Sequence, residues 1–217
     1  MARVGAVVFD LDGTLIDSRH DLAAAVNRMR GELGLVPLTI EAILGMVGEG
    51  ARNLVLRALG EAAPEIDPDR ALAIFYRHYE GECTRRTRPF PGIDDLLAEL
   101  APRFPLALVT NKPERFSRKI VDHLGWGGRF DPLIGGDSLS TRKPDPAGLL
   151  AVGARHGVAA RELTLVGDSR VDAATASAAG ARFVWVGWGF AREEERAELA
   201  RGASAGTCDD LARILLT

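Results

Sequence analysis

Five short apolar runs constrain this chain most: Val4 to Phe9, Leu106 to Val109, Leu133 to Gly135, Leu163 to Val166 and Arg182 to Val186. They are too short for helices and mostly rich in leucine or β-branched residues, the pattern of strands buried on both faces. Helix-period segments lie between them, at Gly92 to Leu100, Pro113 to Leu124, Pro146 to His156 and Val171 to Ala179. Strands that alternate with helices join by right-handed crossovers into a parallel sheet covered on both sides. The expected class is α/β, with a doubly wound parallel sheet.

The alternation breaks once, after the first strand, where a long interval reads as helical. Leu22, Val26, Met29 and Leu33 share one helix face, and Ser18 with Asp21 has the spacing of a capping box. Asp67 and Pro68 form an N-cap and first-turn pair for a second helix, striped by Leu72, Phe75, Tyr76 and Tyr79. The simplest account is a small helical cap, residues 17–87, inserted into a core of residues 1–16 and 88–217. The Pro/Gly-rich "RPFPG" marks its far boundary.

A net charge of −3 without any basic run excludes a general nucleic-acid or anionic-membrane partner. The first apolar run is too short for a signal-peptide core, and none approaches the ~20 residues that span a bilayer, so the expected location is cytoplasmic. Cys83 and Cys208 form no C-x-x-C pair, and His20, His78, His123 and His156 show no ligand spacing. Metal chemistry here falls to oxygen ligands.

Four of the five apolar runs hand over to polar residues: Asp10 and Asp12 after the first, Thr110, Asn111 and Lys112 after the second, Lys143 after the third, and Asp168, Ser169 and Asp172 after the fourth. One such cluster is explained by helix capping. Four on the edge where parallel sheets bind ligands call for a site. Converging carboxylates repel unless a cation joins them, and oxygen donors select a hard ion such as Mg²⁺. The Thr110 hydroxyl and the Lys143 ammonium suit phosphoryl oxygens, so the set describes phosphoryl transfer.

"DLDGTLIDS", "VTNK", "RKPDP" and "VGDSRVD" resemble, in order, the four motifs of the haloacid dehalogenase superfamily of phosphohydrolases. "FPG", "GEGARNLVLRAL" and "GWGF" are similar to its phosphoglycolate phosphatase branch. The resemblance implies a Rossmann-like core with the helical cap after the first strand. It also implies a small phosphorylated metabolite as partner, most simply 2-phosphoglycolate. On this basis Asp10 is the nucleophile that becomes an aspartyl phosphate, and Asp12 protonates the leaving alkoxide and then activates water. Mg²⁺ is held by Asp10, the Asp12 carbonyl and Asp168, while Asp172 acts through water or orients Lys143. Thr110, Asn111 and Lys143 hold the phosphoryl group.

Other phosphoryl chemistries stay open: a sugar-phosphate phosphatase, a pyrophosphatase, a phosphomutase, or a phospho-accepting receiver module, although a receiver lacks both the insert and a late G-D-S-x-x-D. A dehalogenase lacks the counterpart of Asp12, and a phosphonate hydrolase needs a cap lysine, whereas no lysine precedes Lys112. The "GEGARN" run, Gly48 to Asn53, is expected to face the site, with Arg52 reaching a substrate carboxylate. Arg57 is expected on the helix surface or packed in the cap, and Trp185 and Trp188 are expected to pack.

Overall fold

The computed structural model describes residues 4–217. Its first half runs β1 (Ala6–Phe9), β2 (Ile16–Asp17), α1 (Arg19–Glu32), α2 (Ile40–Leu44), α3 (Ala51–Leu59), α4 (Pro68–Glu82), β3 (Arg88–Pro89) and α5 (Ile93–Leu100). There follow β4 (Leu106–Val109), α6 (Glu114–His123), β5 (Leu133–Ile134), α7 (Ala147–His156), β6 (Leu163–Gly167), α8 (Arg170–Ala179), β7 (Arg182–Val186), α9 (Glu193–Leu199), β8 (Ala203–Ala205) and α10 (Cys208–Leu216).

Six strands form one parallel sheet in the order β5-β4-β1-β6-β7-β8. Successive side chains of a strand take opposite faces. Val7 and Phe9 therefore enter one apolar cluster with α5, α10 and the helices that follow β2, while Ala6 and Val8 enter another with Leu149 and Val152 of α7. All four are fully buried. This is the doubly wound α/β sheet expected. The short β8 escaped the sequence reading because "ASA" lacks β-branched or aromatic residues and pairs on one side only.

Helices α1 to α4 fill the interval between β2 and β3, with Leu22, Val26 and Met29 buried against Phe75 and Tyr79. Burial of such a side chain contributes about 1.5–3 kcal/mol. At the place where we propose that the helical unit joins the core, Ile16 pairs with Pro89 and Asp17 with Arg88 in a two-residue antiparallel ribbon. Asp67 caps α4 as expected, its side chain accepting from Asp69 N. The box expected at Ser18 does not form. Ser18 Oγ donates instead to Asp12 Oδ1 at 2.5 Å, and Asp21 is taken by Arg86 N, Thr87 N and Thr87 Oγ1 across the boundary. Both side chains find partners outside the helix instead of the local cap. Among the described residues, no helix is long and apolar enough to cross a membrane.

Candidate active site

The sheet register assembles the site. Phe9 faces Leu108 of β4 on one side and Val166 of β6 on the other, so Asp10, Thr110 and Asp168 leave neighbouring strands just past matched ends. Asp10 N extends the ladder by donating to Val166 O at 2.9 Å. Here the chain reverses its direction of travel across the sheet, and ligands of doubly wound folds bind at such a switch point.

Oxygens of Asp10, Asp168 and Asp172 lie within 4.8 Å of one another, all three residues buried. Lys143, from the loop after β5, reaches into the cluster with Nζ 2.9 Å from Asp10 Oδ1 and 2.6 Å from Asp172 Oδ1. The Asp10 contact lacks the alignment of a hydrogen bond, leaving that buried oxygen without a donor. Three carboxylates against one ammonium leave an excess of negative charge. Burial, moderated by Lys143 and reinforced by Asp172, pushes Asp10 up to about 6. Burial and the charges of Asp172 and Asp10 push Asp168 well above the carboxylate range. Burial works against the Lys143 ammonium, but its two acidic neighbours outweigh it and raise its pKa. A hard divalent cation fits this donor set: it takes oxygen ligands and cancels the charge that now favours protonation.

Asp172 is more than a member of the cluster. Ser169 caps α8, and Asp172 Oδ2 accepts from Ser169 N at 3.1 Å and Ser169 Oγ at 2.6 Å, leaving Oδ1 for Lys143. Capping and lysine positioning thus share one side chain. Asp168 Oδ2 accepts from Phe190 N at 2.6 Å, and a Cβ on Gly13 or Gly189 would stand 2.2 or 2.4 Å from that oxygen. Only glycine fits there. Trp185 and Trp188 pack as expected, and their indole N–H groups also hold the carbonyls of Asp168 and Thr14, each at 3.1 Å.

The Asp12 side chain is not one of the three clustered carboxylates. Both its oxygens accept from Lys112 Nζ, at 2.9 and 2.7 Å, and the ammonium sits 4.8 Å from the centre of the Tyr79 ring. The sequence reading gave Lys112 no role. A usable signal existed: Asp12 follows Asp10 by two positions as Lys112 follows Thr110, at the ends of adjacent strands.

Above these residues lies a cavity of about 370 Å³, with Asp10, Asp12, Thr110, Asn111, Lys112 and Asp168 in its wall and Leu22, Phe75, Tyr79 and Phe116 among its apolar lining. The Gly48 to Ala51 stretch covers it, tied down by Asn111 Nδ2, which donates to Gly48 O and Lys143 O at 2.9 Å each. Arg52 does not join it. In α3 the i, i+3 series Ala51, Leu54 and Arg57 faces the cavity, which turns Arg52 to the outside, where it pairs with Asp69. Arg57, expected on the helix surface or packed in the cap, lines the cavity in an ion pair with Glu49 at 2.5 Å.

The haloacid dehalogenase-like hydrolase family model matches residues 7–186. A phosphoglycolate phosphatase of Pseudomonas putida is 46% identical over 190 residues, 85% of this chain and 70% of that protein. One of Chromobacterium violaceum is 41% identical over 196 residues, 88% of each chain. Among solved structures, that of a predicted phosphoglycolate phosphatase from Haemophilus somnus superposes with a TM-score of 0.87 at 27% identity, covering 99% of both chains.

Proposed function

The chain belongs to the haloacid dehalogenase-like hydrolases and is a phosphatase, and from that premise we propose that it hydrolyses 2-phosphoglycolate to glycolate and phosphate, with Asp10 as nucleophile and Mg²⁺ in the carboxylate cluster. The observation that carries this reading is the pairing of two acids in two environments. Asp10 lies in a buried carboxylate cluster beside Lys143, whereas Asp12, two residues on, is held by Lys112 and Ser18 at the cavity wall. Paired carboxyls in unlike surroundings divide nucleophilic from acid/base work.

In the proposed reaction an Asp10 oxygen attacks phosphorus in line, the ester P–O bond breaks, and the Asp12 carboxyl gives its proton to the departing glycolate oxygen. Asp12, now a carboxylate, takes a proton from the water that attacks the aspartyl phosphate, the bond from phosphorus to Asp10 breaks, and phosphate leaves. Thr110 and Lys143 hold phosphoryl oxygens, with Asn111 fixing the loop above them. Asp10, Asp168 and the Asp12 carbonyl would hold Mg²⁺, with Asp172 behind them as the anchor of Lys143. The ion supplies charge neutralisation for the attacking acid and the phosphoryl group.

Phosphate release from a panel of small phosphomonoesters tests the proposal. 2-Phosphoglycolate should give the highest kcat/KM; exhaustive chelation should abolish turnover, and added Mg²⁺ should restore it. Ca²⁺ should inhibit, since its looser coordination misplaces the nucleophile. Undiminished turnover after chelation, or a sugar phosphate as the best substrate, counts against the assignment.

A further inference from the structure

The carboxylate of 2-phosphoglycolate sits on the same carbon that bears the ester oxygen. The side chain that protonates this oxygen must therefore stand beside the one that binds the carboxylate. Asp12 has the first task in the proposed reaction, so the second belongs to a cation touching Asp12.

Lys112 meets that condition. Its nitrogen is 2.7 and 2.9 Å from the Asp12 oxygens, its side chain is only 3% exposed, and it lines the cavity. An ammonium has three N–H donors, and two are used on Asp12. Among the described residues no further acceptor reaches it, and the Tyr79 ring face holds it in place. The other cations of the cavity pair away from Asp12: Arg57 with Glu49, Arg170 with Glu195 and Glu198, Arg192 with the Gly45 carbonyl.

A second, independent observation points the same way. The Tyr79 hydroxyl is buried without a hydrogen-bond partner, although the residue lines the same cavity and is 1% exposed. Buried hydroxyls are normally paired, so the orphan on Tyr79, a residue whose ring face meets Lys112 Nζ, is a second unused donor. We infer that Lys112 and Tyr79 form the subsite for a carboxylate on the carbon bearing the phosphoryl ester, which selects phosphate esters of 2-hydroxy acids. This deepens the phosphoglycolate reading and rests on it. A carboxylate one carbon further away, as in 3-phosphoglycerate, or a neutral hydroxyl in its place makes no such contact.

The test compares kcat/KM for 2-phosphoglycolate and for 2-hydroxyethyl phosphate, its neutral counterpart, in the wild type, Lys112→Met and Tyr79→Phe. Both esters use the same phosphoryl contacts and the same Asp12, so any effect of Lys112 through Asp12 cancels in the ratio. Loss of a hydrogen bond to a charged group should shrink the ratio by about 10- to 100-fold in Lys112→Met and at least several-fold in Tyr79→Phe, chiefly through KM for the carboxylate ester. Tyr79→Phe removes a hydroxyl with no protein partner, so Tm should hold or rise while the ratio falls, a combination that a packing role does not produce. If Lys112→Met fails to fold, Tyr79→Phe decides alone. A folded variant of either kind with the wild-type ratio overturns the subsite and leaves phosphoglycolate hydrolysis standing; a wild type that does not prefer 2-phosphoglycolate overturns both.

Discussion

Replacing Lys143 with methionine removes one ammonium from between two carboxylates and changes the side-chain volume little. The lysine side chain is 2% exposed, and its partners Asp10 and Asp172 are 11% and 0% exposed, at 2.9 and 2.6 Å. Methionine keeps most of the stem contacts, so the loss is electrostatic. Breaking a buried pair by deleting one partner costs about 3–5 kcal/mol. Proton uptake limits that cost. Burial already lifts Asp10 to about 6 with Lys143 present, and Lys143 is the main influence holding it down. Without it, Asp10 keeps its proton to higher pH. A carboxyl with a folded pKa above its unfolded one contributes stability in full below the unfolded value and loses it as pH rises through the folded one. The deficit of Lys143→Met should thus be largest at pH 8 and shrink toward pH 5, by about 1.4 kcal/mol for each tenfold gain in the proton affinity of Asp10. Urea melts of both proteins in chelator, followed by tryptophan fluorescence at the two pH values, measure this directly. Equal deficits at pH 5 and pH 8, or one below about 1 kcal/mol at pH 8, would refute the reasoning.

Asp10→Asn should fold normally and lose nearly all turnover, because an amide is a poor nucleophile and no anionic ligand; a folded variant with substantial phosphate release contradicts the assigned attack. Arg52→Ala should leave kcat/KM for 2-phosphoglycolate within about twofold of wild type, since an exposed ion pair contributes little and the guanidinium faces away from the cavity. A large selective loss in steady-state assays would restore the role first expected for it.

The parallel sheet was legible because buried strands such as Leu106–Val109 and Leu163–Gly167 announce themselves as apolar runs with polar residues at one end. The acidic cluster was legible for the same reason, since the end of a strand fixes where the next side chains go. The two-residue ribbon at Ile16–Asp17 and Arg88–Pro89 is too short to show any period. Ser18 and Asp21 had the local spacing of a cap, but their partners lie elsewhere in the chain or the fold, Asp12 for one and Thr87 for the other. Arg52 and Arg57 are equally cationic in the sequence. Which of them faces the cavity depends on the rotation of α3, set by Leu54, Val55 and Ala58 packing inward. Lys112 was hidden by its neighbours, Thr110 and Asn111, which already accounted for the motif.

The placement of β1 at the centre of the sheet has a consequence for the birth of the molecule. Val7 pairs with Leu106, 99 positions on, and with Thr164, 157 positions on. As synthesis proceeds toward the C-terminus, the first-made strand of the sheet waits for its second neighbour until β6 has emerged. Ala6–Phe9, wholly apolar and bare on both edges, must wait while most of the chain emerges, and such unpaired strands are open to association with other chains. Contacts so distant in sequence also slow folding. Ribosome-bound intermediates shorter than about the β6 end should therefore engage chaperones through this segment, and the acid pair that follows it gives the exposed strand a charged gatekeeper from its first moments.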